Sequence, residues 1–268
     1  MDAALTERST RVVSFAKLHR ASERRDRAEF LIEGTNAVRS ALDVGVARTV
    51  LVRVDEEFRH ADVLDMARTA GIEILLVTAR AADKLAETST TPGLFAICDL
   101  LDASPADIID RAGPTATVAV GVDISDPGNA GTLIRTADAM GCAGVLLVGS
   151  SSVDPHNGKA VRASAGSVFH IPVARAQDPQ AIVDALRAAG IAVLATAADG
   201  ELSLDDADAV LASGVAWLFG NEAHGLPNDL LTAADHRVSI PIRGRAESLN
   251  IAAAAAVCLY SSARASNR

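Results

Sequence analysis

Residues 117–148 read TVAVGVDISDPGNAGTLIRTADAMGCAGVLLV. The stretch opens on an unbroken apolar run, TVAVGVD (117–123), and turns through Asp126, Pro127, Gly128 and Asn129. It then predicts a helix over 132–140 and closes on a second apolar run, GVLLV (144–148). Neither run alternates apolar with polar residues. Continuous runs of this kind mark strands of a parallel sheet that is covered on both faces. Working outward towards the C-terminus, residues 149–167 are polar and irregular. Strands are expected at 170–173, 191–196 (IAVLAT), 215–219 (VAWLF) and 238–242 (VSIPI), and helices at 179–189, 229–234 and 248–263. The last helix carries five consecutive alanines, the strongest helix formers.

Towards the N-terminus the alternation continues on a smaller scale. A basic amphipathic helix is expected at 10–26, and strands at 28–33, 49–54, 72–77 and 93–98. Helices are expected at 35–44, 56–70 and 81–88, with Gly45 and Gly71 as stops. Residues 99–114 carry Pro105, Pro114 and several acids and read as a linker. The expected class is therefore α/β, with a small domain over 1–105 and a larger parallel-sheet domain over 106–268.

Composition narrows the function. Hydrophobic residues make up 49% of the 268 and charged residues 22%, so the chain can bury a core. Aromatics are only 3%, which argues against a stacking platform for single strands. No apolar run reaches ~18 residues and the N-terminus has no signal-peptide pattern, so neither a membrane span nor secretion is expected. Cys98, Cys142 and Cys258 are far apart in apolar runs, as buried thiols of a reducing cytoplasm would be. Net charge is −9, yet residues 1–27 hold seven Arg/Lys against four acids. A basic end on an acidic chain suits either a solvated helix face or contact with a polyanion.

The common nucleotide and hydrolase motifs are missing. No GxGxxG follows a strand, Gly158-Lys159-Ala160 lacks the rest of a phosphate loop, and Arg162-Ala163-Ser164-Ala165-Gly166 is not a nucleophile elbow. No Cys/His spacing suggests a metal. Three polar, glycine-bearing turns remain. In the first, Asn129 sits near a helix start and Arg135 one turn inside an apolar helix. In the second, FGNEAHGLP (219–227), two glycines flank Asn and Glu where a strand ends. In the third, IPIRGRAESLNI (240–251), a basic turn leads to Ser248, an ordinary N-cap, and Asn250. Ligands of open α/β sheets bind at such strand ends. A side chain at Gly220 would be expected to fill the space where the backbone approaches a ligand.

DPGNAGTLIRTADAMG, LFGNEAHGL and IPIRGRAESLNIAAAAAV, in that order, resemble the three signature motifs of SpoU-type methyltransferases of the SPOUT superfamily, over about residues 115–264. RASAGSVFHIP between the first two is also family-like. By element order, the first hundred residues resemble the L30e-like substrate domain of the ribosomal RNA members, including the thiostrepton-resistance type. The resemblance implies a parallel-sheet SPOUT domain with a C-terminal trefoil knot. It also implies an S-adenosylmethionine-dependent methyltransferase that acts on a ribose 2′-hydroxyl of ribosomal RNA, 23S by the thiostrepton-type likeness. A cytoplasmic homodimer, joined through the knotted domain, is implied too. A transfer RNA enzyme or a non-catalytic RNA-binding protein that retains the fold are the alternatives.

Carried over by position, Arg135, Asn129, Glu222, Ser248 and Asn250 would line the reacting side. Thr196, Ala197, Gly220, Ile240, Ile242, Ser248 and Leu249 would hold the cofactor, and no metal is implied. Arg24, Arg25 and Arg27, with Arg39, Arg48 and Arg53, are expected to face RNA. Lys159, Arg162, Arg243 and Arg245 form the alternative footprint.

Overall fold

The computed structural model describes residues 4–101, 103–221 and 224–266. In chain order the elements are α1 (Thr10–Ala16), α2 (Ala21–Arg27), β1 (Glu29–Glu33), α3 (Thr35–Asp43), β2 (Ala47–Arg53), α4 (Ala61–Thr69), β3 (Glu73–Val77), α5 (Ala79–Leu85) and β4 (Leu94–Asp99). There follow α6 (Pro105–Ala112), β5 (Val118–Val122), α7 (Pro127–Ala139), β6 (Gly144–Val148), α8 (Gly158–Ser164), β7 (Val173–Ala176), α9 (Pro179–Ala188) and β8 (Ala192–Thr196). The chain ends with β9 (Leu202–Ser203), α10 (Asp208–Leu211), β10 (Val215–Phe219), α11 (Asn228–Ala233), β11 (His236–Ser239) and α12 (Ile251–Ser266). Two compact units form. One contains the residues up to Leu101 together with His156–His170, and the other contains the rest.

The first unit is built on a mixed sheet in the order β1-β4-β2-β3, whose β2–β3 pair is parallel. Val12, Phe15 and Leu18 from the N-terminal helices pack with Leu51, Leu85 and Phe95 in its core. The basic helix expected at 10–26 is broken, because Arg20 is extended between a 3-10 turn and α2. α8 also belongs to this unit, so residues 149–167 are not wholly irregular. Asn157 caps α8 by accepting from the Lys159 N–H. Arg162 on α8 bonds Glu33 at 2.9 Å and Glu87 at 3.0 Å.

His19, 3.2 Å from Glu87, and Arg162 hold the Glu87 carboxyl down at about 2, against the opposing effect of partial burial. A carboxyl lowered on folding adds stability that is complete above its unfolded value, near 4.5, and is lost as pH falls towards 2. Urea midpoints measured from pH 5 to pH 2.5 should fall less steeply in Glu87→Gln than in the wild type. Parallel slopes would remove Glu87 from the acid response.

The second unit holds a seven-stranded sheet, β7-β6-β5-β10-β8-β11-β9, in which every pairing is parallel. The central β5 and β10 are fully buried, as their continuous apolar runs require. The expected linker is partly a helix. Pro105 occupies the first turn of α6, Ser104 and Asp107 close a capping box around it, and Ile108 and Ile109 enter the core. Proline read as a breaker is here a helix starter, its missing N–H falling where no partner is needed. α7 starts five residues earlier than its apolar period suggests, for the same reason: Asp126 caps it and Pro127 follows. α12 returns to pack on α7 and β10, and Trp217 Nε1 donates to the buried Ser262 Oγ at 2.8 Å. Cys98, Cys142 and Cys258 are buried free thiols. Burial pushes Cys142 and Cys258 up to about 12 and raises Cys98 further. Among the described residues no helix is long and apolar enough to cross a membrane.

Candidate functional site

Parallel strands all leave their carboxyl ends on one edge of a sheet, and the loops after β8, β10 and β11 meet there. They enclose a cleft of about 650 Å³ whose lining includes Thr196, Ala197, Gly220, Ile240, Ile242, Ser248 and Leu249. All seven residues expected to hold a cofactor are thus gathered in one place. Thr196 is turned inward, its Oγ1 donating to the Leu218 carbonyl at 2.9 Å, and the Ala197 N–H is taken by the Val238 carbonyl at 3.0 Å. β11 stops at Ser239, short of the strand end expected at 242, so Ile240 and Ile242 present backbone outside the sheet ladder. Ile242 and Leu249 are large apolar side chains left partly exposed at this edge, a surface that a ligand would cover.

The close approach at Gly220 is within the chain. A Cβ there would lie 2.3 Å from the Gly225 carbonyl carbon and 2.4 Å from Leu226 N, so the expectation that it would meet a ligand is corrected. Asn221 and Gly225 form an isolated antiparallel bridge that closes this turn, and both line the cleft. Among the described residues that line the cleft, Glu247 is the only charged side chain. An acid beside aliphatic walls suits a ligand that combines a cation with an apolar heterocycle. Asn221 and Glu247 line the cleft without belonging to the set expected to hold the cofactor. Their signal was position alone, each being adjacent to a residue already singled out.

The reacting-side residues are less concentrated. Ser248 lines the cleft but caps nothing. Asn250 is the cap, its Oδ1 accepting from the Ala252 N–H at 2.9 Å, and α12 begins at Ile251 rather than at Ser248. Asn129 lies in the first turn of α7, where its N–H donates to Asp126 Oδ1 at 3.0 Å, so it is inside the helix and does not cap it. Arg135 is exposed on α7 and is not part of the cleft lining. Glu222 lies outside the described residues.

The basic N-terminal residues divide sharply. Arg24 is 3% exposed and donates to the carbonyls of Leu18 and His19, so its guanidinium closes the end of the preceding turn and offers no face to RNA. Arg27 is held by Glu29 and by Ser14. Of the three, Arg25 is exposed, as are Lys17 and Arg20. Arg39, Arg48 and Arg53 are paired with Asp62, Asp99 and Asp55 respectively.

Residues 116–260 match the SpoU rRNA methylase family, and residues 9–96 match the MRM3-like substrate binding domain. A Bacillus subtilis relative, the 23S rRNA (guanosine(2553)-2′-O)-methyltransferase RlmP, is 35% identical over 255 residues, covering 94% of this chain and 96% of its own. The AdoMet-bound rRNA methyltransferase from Sinorhizobium meliloti superposes with a TM-score of 0.84 at 30% identity, covering 98% of this chain and 97% of that one. The SpoU methyltransferase AviRb from Streptomyces viridochromogenes, in complex with AdoMet, gives 0.82 at 32% identity over 96% of this chain and 98% of that one. With the family match spanning more than half the chain and falling on the unit that carries the cleft, this protein belongs to the SpoU rRNA methylase family.

Proposed function

We propose that this protein transfers a methyl group from S-adenosylmethionine to a ribose 2′-hydroxyl of ribosomal RNA, with 23S RNA the substrate by its likeness to RlmP. The observation that carries this reading is the single cleft lined by all seven expected cofactor residues. Residues 106–268 would do the chemistry and residues 1–105 would hold RNA, with α8 packed into the first unit.

When bound, the cofactor supplies a methyl group already activated on a sulfonium sulfur. The backbone of Ile240 and Ile242 and the turn at Gly220 would hold it, and Glu247 would face its positive charge. Arg135 would grip an RNA phosphate and offset the negative charge that develops on the 2′-oxygen. A guanidinium stays protonated near pH 7, so it stabilises charge rather than removing a proton. Glu222 is the carboxylate assigned to proton handling, and Asn129, Ser248 and Asn250 would orient the ribose.

Two observations support a homodimer through the methyltransferase unit. Ala253, Ala256, Val257 and Tyr260 are exposed at i, i+3, i+4 and i+7, an apolar stripe along α12. Arg135 lies outside its own chain's cleft lining, so a second copy could bring it to the reacting atoms. The soluble, cytoplasmic setting follows from the ribosomal substrate.

Tritiated methyl transfer to unmethylated ribosomal RNA, followed by mapping of the 2′-O-methyl stop, tests the reading. Incorporation into transfer RNA alone, or no binding of S-adenosylmethionine in calorimetry, would replace it. On the RNA side, Arg25→Gln should flatten the log–log salt dependence of binding by about 0.7–0.9. Arg24→Gln should instead leave that slope alone and lower stability by about 1–3 kcal/mol, because one buried and one part-buried carbonyl lose their donor. Of the alternative footprint, Arg162 is held by Glu33 and Glu87 and Arg243 by Asp205, so a wild-type slope in Arg25→Gln would direct the search first to exposed Arg245.

A further inference from the structure

Asp123, directly after β5, has φ of 50°, a left-handed conformation that few residues other than glycine adopt. Three contacts hold it there. Its N–H donates to the Val148 carbonyl at 2.8 Å. Its carboxylate accepts from the Ser151 N–H at 2.9 Å, in space left by the missing Cβ of Gly149. Its carbonyl accepts from Asn221 Nδ2 at 2.9 Å. The ends of β5, β6 and β10 are therefore tied at one residue.

What the tie joins gives it a purpose. On one side, Asn221 belongs to the Gly220–Gly225 turn that walls the cleft. On the other, the chain runs from Asp123 through buried Ile124 to Asp126, the cap of α7, which carries Asn129 and Arg135. Ile124 is itself pinned, its carbonyl accepting from the Val153 N–H at 2.9 Å. Only Ser125 separates this pinned residue from the cap of the helix. We infer that Asn221 is a positioning residue: by holding the carbonyl of Asp123, it fixes the helix that bears Arg135 to the strand ends of its own unit, so that Arg135 is presented in one place to the reacting atoms of its own cleft or of a second copy's. The inference rests on the proposed role of Arg135 in methyl transfer.

A misplacement of about 1 Å far from the reacting atoms can cost roughly 100-fold in rate. Asn221→Ala removes the donor. Asn221→Asp keeps the shape and sets an acceptor against the carbonyl, and it serves where the alanine variant melts early. We expect kcat for methyl transfer to fall at least about tenfold in either variant, with the KM for RNA and the Kd for S-adenosylmethionine within about threefold of wild type. A purely structural role would instead lower the melting temperature and degrade all three together.

The decisive comparison is with Arg135→Ala. Because the brace acts through the Arg135 helix, the Asn221→Ala/Arg135→Ala double variant should be no more than about threefold slower than Arg135→Ala alone. Loss equal to the product of the two single effects overturns the inference, as does wild-type kcat in both Asn221 variants. A cofactor Kd weakened as much as kcat overturns it too, and makes Asn221 a cofactor ligand. Full activity of Arg135→Ala by itself would overturn the role of Arg135, which the Asn221 variants alone do not read.

Discussion

Arg135→Ala is expected to lower methyl transfer at least about 100-fold while the affinity for S-adenosylmethionine stays within about threefold of wild type. The split follows from placement. Arg135 stands exposed on α7, its side chain makes no hydrogen bond or ion pair with any other described residue, and it does not line the cleft that gathers the seven residues expected to hold the cofactor. Removing it leaves no buried charge unpaired and touches no cofactor wall, so fold and cofactor binding have no reason to change. Its long, permanently charged fork is then available to a substrate phosphate and to charge that develops on the ribose oxygen. Preorganised donors of that kind are worth about 100- to 1,000-fold each in comparable acyl-transfer sites. Single-turnover methyl transfer beside calorimetry with the cofactor makes the measurement. Arg135→Lys should recover only part of the rate, since an ammonium keeps the charge and loses the planar fork. Near-normal turnover in Arg135→Ala would take the residue out of the mechanism.

That the seven expected residues would meet in one cleft was legible in the sequence, because the cleft is built from backbone turns at strand ends. Strands announce themselves by continuous apolar runs: β6 and β10 fall where GVLLV and VAWLF predict them. Helix starts were less legible, for a physical reason. α7 and α6 both begin on a capping acid or serine followed by proline, ahead of the first apolar repeat, so periodicity alone places them late or misses them. At the third turn, Ser248 and Asn250 are equally good caps by type, and only the geometry shows that Asn250 accepts the Ala252 N–H. Charge was the least legible property. Arg24, Arg25 and Arg27 look alike in sequence, yet one is buried against carbonyls, one is exposed and one is held by Glu29 and Ser14. A guanidinium's partners are set by chain segments that meet only on folding. Asn221 was hidden in the same way: its partner, Asp123, is 98 residues away.

Gly220→Val should weaken S-adenosylmethionine binding at least about 100-fold, equivalent to about 2.7 kcal/mol. The first added carbon already fails to fit, at 2.3 Å from the Gly225 carbonyl carbon and 2.4 Å from Leu226 N, and both obstacles are backbone. Side chains can rotate away from such a clash, but this turn can only open. Leu226 is buried in the core of the sheet, so opening moves the other arm, Gly225 and Asn221, which walls the cleft. Overpacking of this kind costs about 1–3 kcal/mol where the structure can adjust, and the adjustment here is made at the cofactor's expense. Gly220→Ala should show most of the loss, because the clash belongs to the Cβ. Two other glycines separate steric from conformational causes. Gly225 has φ of 66° with open space around it, so Gly225→Ala should meet only backbone strain and weaken binding less than about tenfold. Gly244 has neither a near neighbour nor a positive φ, and Gly244→Ala should bind the cofactor as wild type does. Calorimetry on the folded variants gives the order directly. Equal affinity in Gly220→Ala and Gly244→Ala would show that the Gly220 turn is a connector rather than a wall of the site.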